Sequence, residues 1–135
     1  MHPILKNILA VTVGLLIGGA VNMAIILLSD RLIAPPEGAD LKTMEGLKAA
    51  MPLMEPKHFL LPFLAHALGT LVGGFIAARF AANHSLKWGL LIGACFLIGG
   101  IANILMLPSP IWFTILDLVL AYLPMGYLGA KLAKR

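Results

Sequence analysis

Four long apolar runs, separated by short polar stretches, dominate the chain. The first extends from about Ile8 to Ser29 and stops at the charged pair Asp30-Arg31. The others run from about His58 to Phe80, Leu86 to Leu107 and Ile111 to Leu132. A helix needs roughly 20 apolar residues to cross a bilayer, and each run supplies about that. Membrane β-strands would appear instead as alternating segments of about 10 residues. Helices also pair their own backbone groups, as lipid demands. The pattern predicts an all-α membrane protein, with residues 1–135 forming a single four-helix transmembrane domain.

The only sizeable polar segment, residues 30–57, joins the first two spans. Within it Leu41, Met44, Leu47 and Met51 recur at helical spacing, while Lys42, Glu45 and Lys48 take the other face. Pro35-Pro36 and Pro52 bracket the run, which predicts a short amphipathic helix on the membrane surface or capping the bundle. The remaining loops are tight turns at Asn83-His84 and at Pro108-Ser109-Pro110.

Composition agrees with this reading. Hydrophobic residues make up 60% and charged residues 12% of the sequence, and the mean hydropathy is +0.95. A soluble domain carries about twice that share of charge. The net charge of +4 could suggest nucleic acid, but its distribution indicates membrane orientation. Lys6, Arg79, Lys87, Lys131, Lys134 and Arg135 fall on one side with no acid among them. The long loop mixes Arg31, Lys42, Lys48 and Lys57 with Asp30, Glu37, Asp40, Glu45 and Glu55. By the positive-inside rule both termini are cytoplasmic and residues 30–57 lie outside. Trp88 and Trp112 then fall at opposite interfaces. The start, with Lys6, an apolar run and Gly18-Gly19-Ala20, has features of a secretory signal. The apolar character continues through Leu28, so we read it as a span. The single cysteine, Cys95, excludes an intrachain disulfide.

The halves of the chain echo each other. LIGGAVN at Leu16–Asn22 and LIGGIAN at Leu97–Asn103 share five of seven positions. Gly74-Phe75-Ile76-Ala77-Ala78-Arg79 similarly resembles Gly126-Tyr127-Leu128-Gly129-Ala130-Lys131. Two helical hairpins duplicated in parallel orientation would produce this, as in some transporters. So would the narrow vocabulary of apolar helices. Small residues recur every fourth position at Ala65, Gly69, Gly73 and Ala77, at Gly14 and Gly18, and at Gly89 and Gly93. Such tracks let helix backbones approach closely, within the bundle or in a homo-oligomer.

Polar groups within spans are costly in lipid and therefore informative. Asn22, His66, Asn103 and Asp117 come one from each span and fall roughly 4–9 Å outward of the midplane, at 1.5 Å rise per residue. Asp117 is the one acid within a span, and His66 is its natural partner. Asn22 and Asn103 could orient that pair or bind a ligand, each with a glycine (Gly18, Gly99) clearing the helix face one turn earlier. Thr70 lies one turn from His66 on the same stripe. Pro124 interrupts the fourth span and frees the carbonyl of Leu120, one turn from Asp117. The same residues could instead be interhelical glue.

No GxSxG, Walker, HExxH or CxxC motif is present, and no histidine cluster has metal-ligand spacing. Loosely spaced Met51, Met54 and His58 make a poor metal set. The sequence therefore predicts no metal and no cofactor. The strings Ala65-His66-Ala67-Leu68-Gly69-Thr70, Pro110-Ile111-Trp112-Phe113, Asp117-Leu118 and Ala121-Tyr122-Leu123-Pro124-Met125 resemble a family of small bacterial four-span inner-membrane proteins with no assigned activity. The resemblance covers most of the chain and implies a bacterial cytoplasmic membrane.

The expectation is a multi-pass protein that handles a proton, ion or small solute at Asn22, His66, Asn103, Asp117 and Thr70. Its partners would be the bilayer and a second copy or a membrane subunit, with no nucleic acid. A non-transporting accessory subunit, and a lipid-binding protein or intramembrane enzyme, are the alternatives.

Overall fold

The structure, a computed structural model, describes residues 1–134. It is 79% helical and contains no strand among the described residues. The elements are α1 (Pro3–Leu32), α2 (Met44–Ala50) followed by a 3₁₀ turn, α3 (Lys57–Phe80), α4 (Ser85–Met106), α5 (Ile111–Leu120) and α6 (Leu123–Leu132). α1, α3, α4 and the α5–α6 pair are the four helices long and apolar enough to cross a membrane. Below, the end of the bundle carrying residues 33–56 is the loop end and the other is the termini end.

α1 outruns its apolar stretch at both ends. The His2 imidazole accepts the Ile4 N–H at 3.3 Å, and Pro3 in the first turn has its φ already set for a helix. The helix then continues past Asp30 and Arg31 until the backbone turns extended at Ile33. Its 30 residues span about 45 Å, more than a hydrocarbon layer requires. The fourth span is broken rather than continuous. Tyr122, at φ −116° and ψ −81°, separates α5 from α6. Pro124 explains the break: it has no N–H, and in an unbroken helix its ring would strike the carbonyl of Leu120.

Glycine sets the packing. A methyl group placed on Gly14 would sit 2.7 Å from the Gly73 carbonyl oxygen, and one on Gly18 would sit 2.6 Å from that of Gly69. α1 and α3 thus meet backbone to backbone, the contact that drives association where lipid removes any hydrophobic advantage. α6 is held the same way, with Gly126 against Gly74 of α3 and against Gly89 and Gly93 of α4. α3 joins both α1 and α6 in this way, and α1 touches α4 little. Gly14 and Gly18 against α3 therefore have packing counterparts in Gly89 and Gly93 against α6. The LIGG echo has a different register. Gly18 is packed, whereas its sequence counterpart Gly99 faces open space.

At the termini end, buried Asn7 donates to Asn83 Oδ1 at 3.1 Å and accepts the Ala82 N–H at 2.7 Å. This ties α1 to the α3–α4 turn, where His84 takes a left-handed φ of 50°. At the loop end, Thr43 caps α2 by accepting the Gly46 N–H at 3.0 Å. Leu47 and Met51 are half-buried and Met44 is exposed. His58 secures the loop to α3. Its Nδ1 accepts the Glu55 N–H at 2.8 Å and its Nε2 donates to the Ala34 carbonyl at 3.0 Å.

Two neighbouring glycines test this packing. We expect Gly18→Ala to lower the unfolding free energy of the purified protein in mixed detergent by about 1–3 kcal/mol, as overpacking does. Gly19→Ala, whose methyl group would meet nothing within 4 Å, should leave it unchanged or slightly higher. Equal loss in both variants would show that α1 is not held by backbone contact at Gly18.

Candidate functional site

The site is centred on a carboxylate. Asp117 lies on α5 and is only 3% exposed. His66, on the face of α3 turned toward α5, donates from Nδ1 to Asp117 Oδ1 at 2.8 Å. The Tyr122 hydroxyl donates to Oδ2 at 2.9 Å, so each carboxylate oxygen has a donor. A buried carboxylate is tolerable only when such hydrogen bonds satisfy it. The Tyr122 ring stacks on the His66 ring with centroids 5.8 Å apart. Gly100 makes room for it, since a methyl group there would lie 2.5 Å from the phenolic oxygen. Thr70, fully buried, donates to the His66 carbonyl at 2.7 Å. Thr70 thus secures the turn of α3 that carries His66.

Two cavities adjoin at this cluster. The first, about 340 Å³, lies between α1 and α4, and its polar lining is Asn22, His66, Thr70, Asn103 and Tyr122. Its apolar walls include Met23, Ile26 and Phe96. The second, about 350 Å³, reaches from His66 and Asp117 toward Ser29, Asp30 and His58, beside Leu47, Met51 and Met54 of the loop. His66, Gly100 and Asn103 line both. Neither cavity is lined by Lys or Arg. Toward the termini end the helices close on one another through Gly14, Gly73, Gly74, Gly89 and Gly126.

Of the five residues singled out in the sequence, His66 and Asp117 are in contact, and Thr70 supports them. Asn22 and Asn103 line the first cavity without a hydrogen bond to the pair. Tyr122, and neither asparagine, holds the second carboxylate oxygen. Asn103 is exposed, while Asn22 Oδ1 is buried without a partner. Sequence reasoning missed Tyr122 as a site residue. Five positions after Asp117 it would point elsewhere on an unbroken helix, and only the break before Pro124 returns its hydroxyl to the carboxylate. Pro124 was the available signal. Asn7 was also missed, because one asparagine beside Lys6 looks like any interfacial residue. Among the described residues, no three His, Cys, Asp or Glu side chains are grouped to hold a metal ion.

No family model, no curated protein and no solved structure matches the chain.

Tyr122→Phe isolates the second carboxylate contact, because the ring can remain stacked on His66. We expect a loss of about 1–2 kcal/mol in unfolding free energy, the usual consequence of leaving a buried acceptor unpaired. A variant as stable as the parent would mean that the hydroxyl does not hold the carboxylate.

Proposed function

We propose that this multi-pass membrane protein takes up a proton or small polar solute at the His66–Asp117–Tyr122 cluster and carries it across a bacterial cytoplasmic membrane. The observation that supports this reading is the 2.8 Å His66–Asp117 contact at the junction of two cavities. An imidazole can gain and lose a proton near neutral pH. The adjoining carboxylate fixes the ring through Nδ1, and Tyr122 keeps the carboxylate in place. Under this reading the termini and the α3–α4 turn face the cytoplasm and the loop end faces outside, which the distribution of Lys and Arg supports. Protons would then arrive through the cavity beside the loop, with α2 as an amphipathic cap. Passage beyond the site requires the glycine-packed half of the bundle to part, which suits an alternating carrier better than an open pore. A duplicated hairpin, with Gly14 and Gly18 answered by Gly89 and Gly93, would supply the related halves that such a motion uses. We also place the protein in a homo-oligomer or beside a partner subunit, because four helices enclose little space.

Flux in liposomes tests this. With a potassium diffusion potential and an internal pH dye, the parent protein should acidify vesicles faster than protein-free controls. Asp117→Asn and His66→Ala should slow this by about a hundredfold, the low end of what a positioned proton-transfer group contributes. Undiminished flux in both variants would remove the cluster from the mechanism. Flux no faster than the control, with folding impaired in both, would identify an accessory subunit in which the pair is structural.

A further inference from the structure

The first cavity is bounded by α1, α3, α4 and Tyr122. α1 and α4 form its walls, touch each other little, and leave between them a cleft whose edge includes Gly99, where a methyl group would meet nothing within 4 Å. From the helix ends, His66, Asn22 and Asn103 lie roughly 4–11 Å from their helix midpoints toward the loop end, within the roughly 15 Å of one leaflet's hydrocarbon. The cleft therefore faces acyl chains. Its rim carries the exposed amide of Asn103 and its wall the buried, unpartnered Oδ1 of Asn22. Polar groups at this depth are costly unless something hydrogen-bonds to them. Whichever way the Asn22 amide is turned, one of its polar atoms lacks a partner.

The available hydrogen-bonding groups define the ligand. Both Asp117 oxygens and His66 Nδ1 are engaged within the cluster. The Thr70 hydroxyl is donated to His66. What remains for a ligand is His66 Nε2, the amides of Asn22 and Asn103, and the acceptor lone pairs of the Thr70 and Tyr122 hydroxyls. This set both donates and accepts, and no Lys or Arg side chain lines the cavity to hold an anion. A hydroxyl group, donor and acceptor at once, matches it. The apolar flanks at Met23, Ile26 and Phe96 match an alkyl body.

We propose that the cavity binds a neutral hydroxylated amphiphile, a long-chain alcohol or the free hydroxyl of a neutral lipid, entering sideways from the leaflet at the loop end between α1 and α4. This rests on the reading of the His66 cluster as the ligand site. It adds the class of solute and its route.

The test uses the full chain in liposomes with a photoreactive diazirine analogue of hexadecanol. Crosslinks should map to α1 near Met23 and to α4 near Gly99. Unlabelled hexadecanol should compete at least about tenfold better than hexadecanoate or hexadecylamine. Gly99→Leu should fill the mouth and abolish crosslinking. Gly19→Leu, at an equally open glycine outside the cavity lining, should leave it intact. A Cβ at either position meets nothing within 4 Å, and matched thermal unfolding of the two variants confirms that any loss of crosslinking at Gly99→Leu is not loss of fold. Competition that ignores the headgroup, or crosslinking that survives Gly99→Leu, would overturn the proposal. Proton flux on the same liposomes separates the two ideas. Asp117-dependent flux without selective crosslinking overturns the amphiphile site and leaves the proton reading. Selective crosslinking with flux indifferent to Asp117→Asn supports the amphiphile site and overturns the carrier.

Discussion

Helix α3 touches α1 and α6 backbone to backbone at Gly69, Gly73 and Gly74, and the other arrangements in the bundle follow from that contact. Two helices can approach so closely only where neither presents a side chain, so glycine fixes which faces meet and over what length. On α1 the packed glycines end at Gly18. The next residue on that face is Asn22, whose Cβ would lie 2.9 Å from a methyl group on Gly69. From there toward the loop end, Asn22, Met23 and Ile26 border a cavity instead of a seam. The glycine-lined half is closed and the polar half is open. Both conditions come from the same change in side-chain size along one helix.

The polar half depends in turn on the interruption of the fourth span. A continuous helix would hold Asp117 opposite His66 but would leave its second oxygen to water or to nothing. The break before Pro124 brings Tyr122 back beneath Asp117, and Gly100 on α4 leaves space for the ring. A carboxylate with one donor in such a setting is a liability, because a buried oxygen left without a partner costs the full desolvation of that group. With two donors it is a fixed feature of the fold. This explains how so small a bundle tolerates a nearly buried aspartate. Its cost is offset by two hydrogen bonds, of which the one from Tyr122 requires the broken helix.

Much of this was legible in the sequence, for physical reasons. Apolar run length determines spans, so the four helices could be placed closely, with α1 differing most because its capping at His2 and its continuation through Asp30 do not depend on hydropathy. The partnership of His66 with Asp117 followed from the scarcity of charge within spans. The roles of Asn22 and Asn103 were less legible, because an amide serves equally as glue, as an orienting group or as an unpartnered lining. The LIGG echo shows the limit more sharply. Identical letters place one glycine, Gly18, in a helix contact and the other, Gly99, at an open cleft, because a packing register depends on the facing helix and not on the motif itself. Tyr122 escaped for a related reason: its position is set by a break whose presence was readable and whose geometry was not.

The position of His66 at the junction of both cavities carries a consequence for the proposed function. Its Nδ1 is committed to Asp117 in either protonation state, since neutral imidazole with the proton there and imidazolium both donate to the carboxylate. Only Nε2 changes. It offers a lone pair when the ring is neutral and a proton when it is charged. A hydroxyl ligand in the cleft can answer both, by donating in one case and accepting in the other, whereas a group that only donates or only accepts can answer one. Under the proposed reading, proton uptake would therefore reverse the hydrogen bond to the ligand without expelling it, and without disturbing the contacts that hold Asp117. Coupling of proton and solute would then reside in one nitrogen atom. The packed glycines would set only whether the other half of the bundle can open.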